Sequence, residues 1–108
     1  MAQDFRKALF REIGTGDTTL LAGGNYDAVI GIRCCNILTT TIAVDVKIAK
    51  GGNDFFLEKG VSIQPNSSIE LIQGGAKIVL DSTNTLEAVS DTASSLDVAV
   101  SYIDTISS

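Results

Sequence analysis

The sequence contains no histidine and no tryptophan, and has only one proline, one methionine and two cysteines in 108 residues. Without histidine it lacks the side chain that most often serves as a general base near neutral pH and the commonest metal ligand. The cysteines, Cys34 and Cys35, are adjacent. A bridge between neighbours falls outside ordinary disulfide geometry, and neither thiol has the further Cys or His partners of a zinc site. Both are expected to be free, small hydrophobes suited to a reducing compartment. No apolar run reaches the roughly 20 residues of a membrane-spanning helix. The first eleven residues also hold no apolar segment of a secretory leader, so none is expected. Basic charge is scarce: eight Lys and Arg against thirteen Asp and Glu, net −5. A nucleic-acid binder carries a basic stripe instead. The expectations are therefore a non-enzyme with no cofactor and no metal, binding neither nucleic acid nor membrane.

What is present is a globular composition, 44% hydrophobic and 19% charged, in a length that suits one domain. Ile42, Val44, Val46 and Ile48 alternate with Ala43, Asp45, Lys47 and Ala49, and Leu96, Val98, Val100 and Tyr102 repeat the pattern near the end of the chain. Period two with β-branched residues marks half-buried strands. Asp27–Leu38 is apolar on both faces around Ile30, Ile32 and Cys34, as in a central strand. Shorter strands are expected at Thr18–Leu21, Phe55–Leu57, Val61 with Ile63, Ile69 with Leu71, Ile78–Leu80 and Leu86–Val89. Turn signals separate them at Gly14-Thr-Gly16, Gly23-Gly24-Asn25, Gly51-Gly52-Asn53, Pro65-Asn66 and Gly74-Gly75. This spacing predicts an all-β fold: a single antiparallel β-sandwich, jelly-roll or Ig-like, of about eight strands. Residues 1–13 read as an N-terminal strand or arm, with a short helix at i, i+4 spacing as the lesser reading, and 14–108 as the sandwich.

The remaining motifs read as structure. The glycine pairs lack the strand–loop–helix context and the Lys-Ser/Thr of a phosphate loop. Asp81, Glu87, Asp91, Asp97 and Asp104 are scattered across turns and strands rather than spaced as a calcium loop. Asn66-Ser67-Ser68 matches a glycosylation acceptor but sits on a turn signal. Residues 1–60 are electrically neutral, whereas 61–108 carry only Lys77 against six acids. One basic segment, with Phe5, Arg6, Lys7, Phe10 and Arg11, mixes cations and apolar residues. These five are the candidate assembly interface, an arm able to add as a strand to a neighbouring chain or to meet the acidic half of another copy. The plainer alternative is the first edge strand of its own sheet. On the arm reading, removal of Met1–Arg11 leaves the sandwich folded and abolishes assembly.

The order of segments is Phe5-Arg-Lys-Ala-Leu-Phe-Arg-Glu-Ile-Gly-Thr-Gly, Thr18-Thr-Leu-Leu-Ala-Gly-Gly, Ala28-Val-Ile-Gly-Ile-Arg-Cys-Cys-Asn-Ile and Ile42-Ala-Val-Asp-Val-Lys-Ile. It continues through Phe55-Phe-Leu-Glu-Lys-Gly-Val-Ser-Ile-Gln-Pro-Asn, Lys77-Ile-Val-Leu, Thr85-Leu-Glu-Ala-Val-Ser and Leu96-Asp-Val-Ala-Val-Ser-Tyr. Over residues 5–104 it resembles small virion structural proteins of tailed bacteriophages, especially marine and cyanobacterial phages. The resemblance implies a non-catalytic building block of the tail or neck, assembled in the host bacterial cytoplasm and residing in the virion. Its implied partners are other virion proteins and copies of itself, in a homo-oligomer such as a trimer or six-fold ring. A capsid decoration or cement protein on the phage head is the neighbouring reading. A non-viral carbohydrate- or protein-binding β-sandwich module is the reading from another class; the absence of Trp, with only Tyr26 and Tyr102, speaks against a carbohydrate platform.

Overall fold

A computed structural model describes residues 4–22, 27–72 and 78–104, with side chains at 6–22, 27–72 and 78–103. Nine strands occur among the described residues and no helix. They are β1 (Asp4–Ile13), β2 (Thr18–Ala22), β3 (Asp27–Asn36), β4 (Ile42–Lys50), β5 (Asn53–Ile63), β6 (Ser68–Glu70), β7 (Ile78–Leu80), β8 (Thr85–Ser90) and β9 (Leu96–Asp104). One sheet runs β1-β9-β3-β6, with β7 also on β3; the other runs β2-β8-β4-β5. Every pairing is antiparallel.

The period-two patterns become the faces between the sheets. Ile42, Val44 and Val46 of β4, Leu86 and Ala88 of β8, Ile32 and Cys34 of β3, and Val98 and Val100 of β9 are all buried in one core. Each fully buried Val, Leu or Ile contributes about 1.5–3 kcal/mol, so these inward rows dominate the stability of the sandwich. The central placing expected of the third strand holds: β3 pairs with β9 along one side and with β6 and β7 along the other.

β6 and β7 lie end to end on β3, opposite Arg33–Cys35 and Asp27–Val29. The gap between them is bridged by other groups. Leu71 N–H donates to Ile32 O at 2.9 Å, and Glu70 Oε2 accepts from Ile32 N–H at 2.7 Å and from Ile72 N–H at 3.2 Å. A carboxylate thus stands in for a missing strand carbonyl where a buried N–H would otherwise be unsatisfied.

Two turns follow from sequence. Gly51 and Gly52 have φ of 60° and 83° between paired Lys50 and Asn53, the two-residue hairpin in which both central residues take positive φ. At Pro65-Asn66, Asn66 has φ 56° and Ser67 N–H donates to Gln64 O at 3.2 Å, so proline and asparagine occupy the central positions of a type II turn.

Some expectations change. Phe55–Leu57 and Val61–Ile63 are one strand, β5, because the Lys59-Gly60 interruption is absorbed as a bulge: Gly60 takes φ 67° and its N–H donates to Asp45 Oδ1 at 2.7 Å. Residues 4–13 form a strand, not the helix that i, i+4 spacing allowed, because β9 supplies backbone partners from Asp4 to Phe10. β1 is therefore integral to a sheet, and its removal would not simply release an arm. The turns expected at Gly23-Gly24-Asn25 and Gly74-Gly75, together with Tyr26 and Lys77, lie outside the described residues.

Candidate functional site

The candidate site residues all lie on β1, the terminal strand of its sheet. Seven consecutive residues, Asp4–Phe10, pair with Asp104–Val98 without interruption. The register then shifts before Ile13, where Glu12 takes φ 56° and donates its N–H to Asp97 Oδ1 at 2.9 Å. Arg6, Lys7 and Arg11 are all exposed, and Arg11 also pairs with Glu12 at 2.8 Å. Phe5 is placed by its backbone, opposite Ile103.

Phe10 differs from the expectation. Strand alternation turns it inward with Ala8, and both pack against the core. Leu9 faces out instead and is 67% exposed. Next to it a shallow groove of about 420 Å³ is lined by Leu9, Phe10, Arg11, Arg33, Cys35 and Asp97, among others. Strict period two along β1 was the signal that would have added Leu9 to the outward-facing residues.

The other edges are built differently. β6 and β7 have three residues each. β2 shifts register against β8 between Thr19 and Leu21. β5 shifts twice against β4 and exposes Phe55, Phe56 and Leu57 at 55%, 42% and 37%. Lys59 Nζ lies 4.5 Å from the centre of the Phe56 ring. Between β5 and β6 a cleft of about 540 Å³ opens on the core, lined by Ile32, Val46, Leu57, Val61, Ile69 and Glu70, among others.

No family model, no curated protein and no solved structure matches this chain.

The buried polar groups are structural. Lys47 is buried on β4 and reaches Asp17 Oδ1 at 3.0 Å and Asp54 Oδ2 at 3.1 Å. Hydrogen bonds to Asp17 and then Asp54 raise its pKa above the ordinary 10.5, against the opposing effect of burial. Asn36, fully buried, donates through Nδ2 to Thr40 O at 2.8 Å and Ile63 O at 2.9 Å and accepts from Leu38 N–H at 2.9 Å. Ser95 Oγ donates to Thr92 O at 2.7 Å, which leaves Ser90 to donate to Ser95 in their 2.5 Å contact. Burial pushes the Cys34 thiol up to about 12, with Glu70 adding to the effect, so it stays protonated and poorly nucleophilic. Cys35 is half-buried and also free. Among the described residues no group of three or more His, Cys, Asp or Glu could hold a metal ion.

Sequence reasoning missed the Lys47 and Asn36 arrangements, because the partners are brought together by strand pairing rather than by spacing. Asp17 and Asp54, from separate parts of the chain, meet at one ammonium on β4.

Proposed function

We propose that this protein is a non-catalytic bacteriophage virion structural protein of the tail or neck, which assembles in multiple copies through protein–protein contacts. The observation that carries the reading is the strand order. β1 pairs with β9, β2 with β8, β3 with β6 and β7, and β4 with β5, so the chain is one long hairpin, nested about the Gly51-Gly52 turn. The further pairings β3–β9 and β4–β8 roll that hairpin into two sheets. This order supports the jelly-roll alternative over the Ig-like one, with β6 and β7 together filling one strand position. Jelly rolls are a recurrent architecture of viral capsid domains. The order of segments that resembles phage virion proteins adds to the reading. Exposed Leu9 on β1 and Phe55, Phe56 and Leu57 on β5 add apolar surface of the kind that association covers.

The test is immunogold electron microscopy of particles from an infected bacterial lysate. Label at the tail or neck is expected. Label over the head would reassign the protein to capsid decoration. Abundant protein in the lysate with no labelled particle would overturn the virion reading.

A further inference from the structure

We propose that the cleft between β5 and β6 binds a small organic cation, an aliphatic body carrying a single ammonium group. The proposal goes beyond the virion reading and does not rest on it.

The cleft follows from the way the sandwich ends on this side. β6 pairs with Arg33–Cys35 and β7 with Asp27–Val29. Residues 30–32 of β3 are left without a strand partner there among the described residues. In the other sheet β5 is the last strand and shifts register twice against β4. The space between holds about 540 Å³, inside the roughly 300–1,000 Å³ of small-molecule pockets. Its floor is Ile32 and Val46, core residues with 0% exposure, one from each sheet. Leu57 and Val61 of β5 line one side, and Ile69 and Ile78 of the opposite sheet line the other.

The charged groups of this lining are two carboxylates, Glu58 and Glu70, with no Lys or Arg among the described residues. Glu70 is engaged, since its Oε2 accepts from the N–H groups of Ile32 and Ile72. Glu58 differs. It lies opposite Val46 in the ladder, between the two register shifts. Residues opposite each other in a ladder share a face, so Glu58 stands on the inward side with buried Val46. It is half-buried, and among the described residues no hydrogen bond or ion pair reaches its carboxylate.

A carboxylate beside apolar walls has lost part of its water and gained no donor in exchange. A cation entering the cleft supplies that donor, an anion is repelled, and a neutral molecule leaves the carboxylate unpaired. One unengaged carboxylate matches one positive charge. The apolar walls favour a body of several methylenes, each worth about fourfold in affinity when buried. A lysine of another protein carries the same head group but brings its backbone with it. The edges flanking the cleft are short at β6 and β7 and irregular at β5, so they offer that backbone no regular ladder. The free amine is the better occupant.

The test titrates the full chain with n-hexylammonium, n-hexanol, n-hexanoate, ethylammonium and capped Ala-Lys-Ala, and follows backbone amide NMR signals for affinity and location. Hexylammonium is expected to bind about tenfold or more tightly than hexanoate, ethylammonium or the peptide, and more tightly than hexanol. The shifted signals should fall on residues 57–61 and 69–72. Glu58→Gln, with circular dichroism unchanged, should lower hexylammonium to the level of hexanol and leave hexanol binding as it was. Val61→Phe, which fills the cleft, should weaken both. The ranking of the probes on the parent protein decides the matter even where a variant fails to fold. Equal binding of hexylammonium and hexanoate, shifts confined to the groove beside Leu9, an unchanged preference in folded Glu58→Gln, or no binding of hexylammonium at millimolar concentration would each overturn the proposal. Peptide binding as tight as that of hexylammonium would overturn it as well, and would assign the cleft to a side chain of another protein.

Discussion

Val44 and Lys47 lie three positions apart on β4, and both are buried. Val44 belongs to the apolar core and has 0% exposure, so Val44→Asp would bury a carboxylate among apolar side chains. We expect a loss of about 4 kcal/mol or more, enough to unfold a small domain, and urea denaturation would read it. Lys47 tolerates burial because Asp17 and Asp54 both reach its ammonium. Its pKa is raised on folding, so the stabilisation is complete below the ordinary value of 10.5 and is lost as pH rises through the higher folded value. Lys47→Met should therefore remove part of the alkaline fall in stability, seen as a shallower decline of the urea midpoint than in the parent between neutral and strongly alkaline pH. An identical decline in both proteins would show that the two carboxylates do not stabilise the charged form. The alternation of β4 made Val44 legible in the sequence. It did not reveal why a lysine sits among buried residues, since both counter-ions come from outside the strand.

At the scale of elements, turn chemistry and edge construction govern what changes are tolerated. Gly52 has φ 83°, and a methyl group on its Cα would meet no neighbour within 4 Å. Gly52→Ala should therefore cost about 1–2 kcal/mol through backbone strain alone. Gly16, with no positive φ and equally open surroundings, should accept alanine with little change. Thermal melts of the two variants give the comparison, and equal melting temperatures would contradict the turn assignment. β1 makes a stronger statement. Deleting Met1–Arg11 removes every β1 residue paired with Val98 to Asp104 and uncovers the edge of β9 at Val98 and Val100, which are 2% and 0% exposed. The truncated chain should melt at a much lower temperature or fail to fold. A truncated protein with unchanged circular dichroism and melting would restore the arm reading.

For the whole molecule, the nested hairpin joins the two ends of the described chain: Asp4 faces Asp104 while Lys50 faces Asn53. Only the innermost hairpin is local, and each pairing outward closes a longer loop. Folding is therefore expected on the millisecond-to-second scale of all-β domains, not in microseconds. Stopped-flow refolding monitored by tyrosine fluorescence would test this, and a microsecond phase carrying the full amplitude would contradict it. The same topology shapes the surface. It leaves several kinds of edge, short at β6 and β7 and irregular at β2 and β5, on a body of 45 × 27 × 22 Å.

The sequence by itself determined the all-β class, most strands, the inward faces of β4 and β9 and the turns at Gly51-Gly52 and Pro65-Asn66. These depend on periodicity and on local φ preferences, which neighbouring residues encode. It also placed cations and apolar residues together near the start of the chain. Only the tertiary structure decided that this segment is a paired strand, that Leu9 and not Phe10 faces outward, that β5 runs through Gly60, and that Glu70 fills the gap between β6 and β7. Those outcomes depend on which strands become neighbours. A backbone hydrogen bond in a sheet is commonly made to a residue far away in the chain, and no local pattern names that partner.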